Sequence, residues 1–377
     1  KIFLMINNYL NYFSYYQWWK NLDKFILGLI ITLFLIGLFF SLVSTSLIAS
    51  DKLDTNSYFF FFKHLIFVII GVGIIFIFSY IDRENLYKIS IYSFLISLIL
   101  LSLVPIFGTE VKGSKRWLDI FFLPRFQPVE LVKPFFIIVL STIITLDNIK
   151  QFTLKFFLTL FLTLLIAFFL IIQPDLGQTL LFGFTWMILI FISGVNLVFL
   201  LTISVLGLSL LLYFTFYVPK FEYIKNRILS FFNSETGTHN FQSDKATDSI
   251  ISGGFFGKGI GEGTLKNRVP EAHTDYIVSV ISEEFGVIVI ILILILFLTF
   301  IFSIFKKVNV EKDHKTKLIL VGSASLILFQ AMIHIGVNIR LFPTTGMTLP
   351  FLSYGGSSII SISILSGIIL NLTKRKI

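Results

Sequence analysis

Polar and apolar positions fall along this chain in blocks. Long apolar runs near 25–47, 58–80, 88–106, 129–146, 154–172, 177–194, 196–217, 277–303, 317–339 and 350–372 are separated by short charged connections. A helix needs about 20 apolar residues to cross the hydrocarbon core of a bilayer. The pattern therefore predicts an all-α integral membrane protein, a polytopic bundle of about ten transmembrane helices. The runs at 129–146 and 177–194 fit least well, because both contain or abut charge or glycine. Two connections are long, from Pro105 to Pro128 and from Tyr217 to Thr274. The predicted organisation is an N-terminal interfacial segment, 1–24, and a membrane domain, 25–377, whose large extracytoplasmic loop (218–274) joins helices 7 and 8. No internal repeat is visible.

The even number of spans puts both ends on one side. Lys306, Lys307, Lys312, Lys315 and Lys317 share that side with Lys150, Lys155 and the closing Lys374-Arg375-Lys376. Basic residues in short loops mark the cytoplasmic side, so both termini are expected there. Trp18-Trp19-Lys20 before the first run reads as an interfacial anchor. The run from Phe25 is longer than a signal core, so no cleaved leader is expected.

Composition sharpens the class. Of 377 residues 56% are hydrophobic and only 14% charged, against about 25% charged in soluble domains. The net charge of +9 would suggest nucleic acid in a soluble chain. Here the cations sit at span ends, where topology and anionic lipid explain them first, and no nucleic-acid partner is expected. Zero cysteines exclude disulfides, thiolate metal sites and cysteine nucleophiles. The 46 phenylalanines are spread over every apolar run and mark no site.

Charge gathers at one face. Pro270 to Asp275 places acids and His273 at the mouth of the run starting at Ile277. An Asp at the centre of a membrane helix costs about 2.5 kcal/mol or more, so acids stay at helix ends or face polar cavities. Thr274 or Asp275 is in position to cap that helix, with Ser279, Ser282 and Glu283 continuing a polar stripe. Three further clusters fall on the same predicted side. Lys112 to Trp117 leads to Gln127 to Lys133; Gln173-Pro174-Asp175 makes a tight turn; Asn338 to Ser358 includes Arg340 and Gly355-Gly356-Ser357-Ser358. Taken singly, each has a structural explanation: a Glu130–Lys133 pair, a turn, a close helix approach. Glycines between Gly253 and Gly263 fit a linker as well as a phosphate cradle. Together, cations and acids on one face suit a substrate bearing a pyrophosphate.

In these motifs the chain resembles the SEDS family (shape, elongation, division and sporulation) of membrane peptidoglycan glycosyltransferases. The carrying stretches are Gly113 to Trp117, Gln127 to Lys133, Gln173 to Gly177, Pro270 to Asp275 with Glu283-Glu284-Phe285-Gly286, and Leu349 to Ser358. The first fifty residues carry none of these motifs. Glu271-Ala272 and Gly346 to Pro350 are more similar to the division branch of the family than to the elongation branch. Val129, Lys115 and Tyr276 stand where the family more often has Ser or Ala, Arg, and Phe.

The resemblance implies polymerisation of lipid II into glycan strands at the outer face of the bacterial inner membrane, at the division septum, by an inverting transfer with a lipid-pyrophosphate leaving group. It implies a class B penicillin-binding protein as partner, with other divisome proteins. The family's essential Asp maps onto Asp275, the candidate general base. Lys115, Arg116, Lys133 and Arg340 are candidate pyrophosphate contacts, and Gln127, Glu130, Glu271, His273 and Ser357 complete the candidate substrate site. A divalent cation, Mg²⁺ or Mn²⁺, would share the phosphate charge, and Asp275 would then be either its ligand or the base. A lipid II flippase and a non-catalytic scaffold are the competing readings. Against transport, the inner halves of most spans are purely apolar.

Overall fold

The computed structural model describes residues 15–53, 58–111, 114–119, 124–146, 151–232, 241–264 and 272–375. All ten apolar runs are helices: α1 Lys24–Leu53, α2 Phe59–Tyr80, α3 Arg83–Phe107, α4 Pro128–Ile144, α5 Phe152–Ile172, α6 Leu176–Ile192, α7 Leu197–Tyr217, α10 Ile277–Val310, α11 His314–Asn338 and α12 Gly356–Leu372. Seven are long and apolar enough to cross a membrane; α4, α6 and α12 have 17 residues each. At 1.5 Å per residue those three are about 26 Å long, a turn short of the ~30 Å core.

The bundle is layered around α4, α11 and α12. α2 lies along α12, α3 along α4, and α6 and α10 along α11, while α4 touches both α11 and α12. Small residues allow the tightest of these approaches: a Cβ on Gly71 would come 2.5 Å from Ser363 Oγ, and one on Gly367 2.9 Å from the Ile75 carbonyl. Close backbone approach is how membrane helices gain packing energy when lipid tails are as apolar as leucine. Along α10, Ile293, Phe297, Phe300, Ile301 and Ile304 face the core, at helical spacing, while Leu292, Ile295, Leu298 and Phe302 are exposed. α7 is peripheral, with only Leu200 and Thr215 buried.

The two long connections are structured. The first begins later than Pro105, which sits in the last turn of α3; the Leu101 carbonyl, which proline leaves without its helical donor, accepts instead from Gln173 Nε2 at 3.4 Å. It forms a hairpin of β1 (Thr109–Val111) and β2 (Ser114–Trp117), with Glu110 opposite Lys115, extended by a Leu118–Phe126 bridge. The second holds α8 (Glu222–Phe232) and α9 (Phe241–Gly253). α9 packs on α10, and the glycine stretch after it forms a strap.

That strap explains a break in α10. Gly286 has φ 79° and ψ 173°, a conformation open to glycine alone, and it frees backbone groups that lipid could not satisfy. The strap supplies partners on both sides: Lys258 N–H donates to the Glu283 carbonyl (2.9 Å), Gly259 N–H to Glu284 (3.0 Å), and Val287 N–H donates to Gly254 (3.0 Å). α10 starts at Ile277, as expected, but its expected cap is corrected here. Its N-cap is Tyr276, without a side-chain cap, so neither Thr274 nor Asp275 caps it. Asp275 lies in the preceding turn, so helical spacing does not extend the Ser279–Ser282 stripe to it.

Candidate functional site

Three helices, two of them from the core, begin at one place. The N-termini of α4, α10 and α12 reach a cavity of about 880 Å³ at one end of the bundle, to which Glu130, Tyr276 and Gly356 contribute. Helix N-termini present free N–H groups and partial positive charge, a setting for anions.

Arg116, on β2, is aimed by the turn between α5 and α6. Its Nε donates to the Gln173 carbonyl (3.1 Å) and its Nη2 to that of Pro174, while Nη1 lies 3.5 Å from Asp175 Oδ2. Asp175 caps α6 by accepting from Gln178 N–H at 3.3 Å and accepts from Gln127 Nε2 at 3.3 Å. The Gln-Pro-Asp turn thus serves as a bracket for the guanidinium and for Gln127.

The turn before α10 is held to the 349–354 loop. Ser353 Oγ donates to the Thr274 carbonyl (2.7 Å), Tyr354 N–H to that of His273 (3.1 Å), and Asn338 Nδ2 to that of Asp275 (3.1 Å). Asn338 Oδ1 also accepts from Ser279 N–H at 3.2 Å, which fixes the entry into α10. Asp275 is half-buried and lines the cavity. Gly346, at φ 70°, is close to both it and Arg116: a Cβ there would lie 3.5 Å from Asp275 Oδ2 and 3.6 Å from Arg116 Nη1. The carboxylate and the guanidinium therefore share the space beside one bare glycine. The Tyr276 hydroxyl is buried beside them, and burial first, then the Asp275 charge, pushes its pKa up.

The cavity brings together Arg116, Gln127, Glu130, His273, Asp275 and Ser357. The His273 ring packs against Phe60 (5.0 Å) and Tyr354 (5.8 Å). Three candidate cations lie elsewhere, which corrects the expected convergence. Lys115 is exposed on the hairpin opposite Glu110. Arg340 meets Asp244 of α9 at 2.7 Å. Lys133 is buried, its Nζ 2.7 Å from Glu130 Oε1 and 3.1 Å from Gln330 Oε1, because on α4 it stands one turn deeper than Glu130. Glu271 lies outside the described residues.

In their place the cavity has three cations that sequence reasoning missed: Lys63 from α2, Arg125 after the hairpin and Arg227 from α8. Arg227 Nη1 donates to the Thr344 carbonyl at 3.1 Å. A signal existed for Arg227, since Ile224, Ile228 and Phe231 recur at helical spacing around it. Among the described residues no three of His, Asp and Glu gather to hold a metal. A divalent ion here would rest on the Asp275 carboxylate together with substrate phosphate oxygens, a donor set that suits Mg²⁺.

Comparison with known proteins agrees with this architecture. A family model described as "Cell cycle protein", covering FtsW, RodA and SpoVE, matches residues 23–376, so the likeness takes in the first helix, where no motif was legible. A Haemophilus influenzae protein named as a probable peptidoglycan glycosyltransferase FtsW is 32% identical over 360 residues, 93% of this chain and 90% of its own. A chain of a peptidoglycan synthase complex that coordinates polymerization and crosslinking superposes with a TM-score of 0.77 at 25% identity, covering 93% of this chain and 97% of that one. The rod shape determining protein RodA of Thermus thermophilus shares the fold, with a TM-score of 0.68 at 24% identity, over 94% and 97% of the two chains.

Proposed function

The chain belongs to the cell cycle protein family of FtsW, RodA and SpoVE, and from that premise we propose that it is an FtsW-type peptidoglycan glycosyltransferase that polymerises lipid II during cell division. The observation that carries the reading is the presence of Asp275 and Arg116 together beside Gly346 in one cavity into which three helix N-termini open. Glycan polymerisation needs a base for the acceptor hydroxyl and positive charge where the pyrophosphate departs. Asp275 takes the hydroxyl proton, directly or through one water. The hydroxyl oxygen then bonds to the anomeric carbon from the face opposite the leaving group, and the carbon–oxygen bond to the pyrophosphate breaks, which inverts the centre. Arg116, Arg227, Arg125 and Lys63 receive the leaving charge, aided by the helix N-termini. A divalent ion on the phosphates would supply further neutralisation, and with Asp275 as its ligand that carboxylate would hold the ion in place of acting as base. Lys115, Lys133 and Arg340 have no direct part in this reading.

In the membrane, all ten apolar helices cross, the cavity end faces outward and both termini are cytoplasmic; the Lys306–Lys317 connection supports this orientation. The 218–274 segment then lies outside, at the septum, where a class B penicillin-binding protein would dock. The test is to give purified protein lipid II, with and without that partner, and to resolve the products on a gel. Glycan polymer supports the assignment. Movement of lipid II across vesicles without polymer would replace it with the flippase reading, and neither activity would leave the scaffold.

A further inference from the structure

At the end of the bundle opposite the main cavity, a second cleft of about 220 Å³ is lined by Ile81, Asp82, Arg83, Asn371, Lys374 and Arg375. α2 and α12 connect the two: residues in their first halves, Lys63, Phe67 and Gly356 among them, line the large cavity, and Ile81 and Asn371 near their far ends line the small one. The walls are fixed by backbone capping. Asn371 Nδ2 donates to the Phe78 (2.8 Å) and Ile81 (2.6 Å) carbonyls, Arg83 Nη2 to Leu372 (3.1 Å), and Arg375 N–H to the Asn21 carbonyl (3.0 Å).

Charge in this cleft is unbalanced. Two arginines and a lysine face a single carboxylate, Asp82. Burial first, then the Arg83 charge, holds the Lys374 amine down to about 8, with Asp82 acting in the opposite sense. α3 begins at Arg83, and its N-cap Asp82 makes no side-chain cap, so the positive end of a 25-residue helix adds to the excess. An anion would relieve all of this.

An aromatic cluster gives the depth. Trp18 Nε1 donates to the Ser79 carbonyl at 3.2 Å, its ring meets Tyr80 edge-on at 5.6 Å, and Tyr15 stacks on Tyr80 at 5.0 Å. Trp and Tyr collect at the level of lipid headgroups, and these three grip the same end of α2 that Asn371 caps. We propose that this cleft binds the phosphate of an anionic phospholipid headgroup, with Arg83, Lys374 and Arg375 as its donors. Basic pockets between helix ends are sites of this kind. The three-to-one charge ratio selects against a headgroup carrying its own cation. A free phosphate ion presents the same chemistry, and the experiment separates the two.

Purified full-length protein in phosphatidylcholine nanodiscs is titrated with short-chain phosphatidylglycerol, and hydrogen exchange is followed over 79–88 and 368–375. Saturable protection is expected. The Lys374→Gln/Arg375→Gln double variant should weaken it by roughly tenfold or more, the scale of one lost charge-assisted bond, and Asp82→Asn should tighten it. Equal protection by short-chain phosphatidylcholine, or unchanged protection in the double variant, would overturn the proposal. Equal protection by inorganic phosphate would assign the cleft to a soluble anion and overturn the lipid reading. Should the double variant fail to fold, Asp82→Asn decides: tighter binding supports the site and unchanged binding refutes it.

Discussion

Lys133→Met probes how the cavity wall is held. Lys133 and Glu130 are both buried, and the ammonium donates to Glu130 at 2.7 Å and to Gln330 at 3.1 Å. Met keeps the length and apolar volume of the stem but strands the Glu130 carboxylate, whose Oε1 then retains Gln178 Nε2 at 3.2 Å. Removing one partner of a buried pair costs about 3–5 kcal/mol, because the other charge is left uncompensated. Replacing both removes that penalty. The double variant Glu130→Gln/Lys133→Met should cost about 1–2 kcal/mol, the worth of one or two neutral hydrogen bonds. Glu130→Gln alone strands the ammonium in the same way, so the two single losses together should exceed the loss of the double variant by about 4 kcal/mol or more, read from thermal unfolding of the four proteins in one detergent. Additive effects would refute the reasoning and return Lys133 to the list of substrate contacts.

Three other outcomes follow from the same geometry. Gly346→Val puts a branched side chain against both Asp275 and Arg116 at φ 70°; kcat/KM for lipid II should fall well beyond the ~1–2 kcal/mol that the strained backbone takes from stability, and a loss confined to stability would contradict it. Tyr276→Phe removes a buried hydroxyl that has no hydrogen-bond partner among the described residues, so the free protein should gain about 1 kcal/mol, and a lower melting temperature would count against this. Lys374 has a folded pKa of about 8, below its unfolded value, so the unfolded chain binds more protons between about pH 8 and 10.5 and stability should rise with pH through that window. The group is partly exposed, and after solvent screening the gain is about 1 kcal/mol; in zwitterionic lipid Lys374→Met should flatten the curve, and an unchanged slope would refute the assignment.

The ten helices were legible because long apolar runs divided by charge are a property of local sequence, and every run became a helix, with ends shifted by up to seven residues. The clusters around Arg116, Gln127, His273 and Ser357 were legible as chemistry because charge at the end of an apolar run needs a reason. Their partners were not. Whether Lys133 reaches a cavity or a carboxylate depends on rotation about α4 and on what α11 offers at Gln330. Arg340 is taken by Asp244, which stands on a helix inside a segment read as a loop. α8 and α9 were hidden because their apolar stripes are short, and the Gly286 break because its hydrogen bonds go to a strap some thirty residues earlier. Lys63 gave no sign, being one cation at the start of an ordinary span.

The central claim is that Asp275 serves as base within this cavity, and one measurement tests it most directly. Asp275→Asn keeps the size of the side chain and leaves the backbone carbonyl to Asn338, so the fold and co-purification with the transpeptidase should survive. Glycan-strand synthesis from lipid II by that complex should fall by about 10²–10⁴, the contribution of a general base. Synthesis at a rate close to that of the unsubstituted protein would contradict the account.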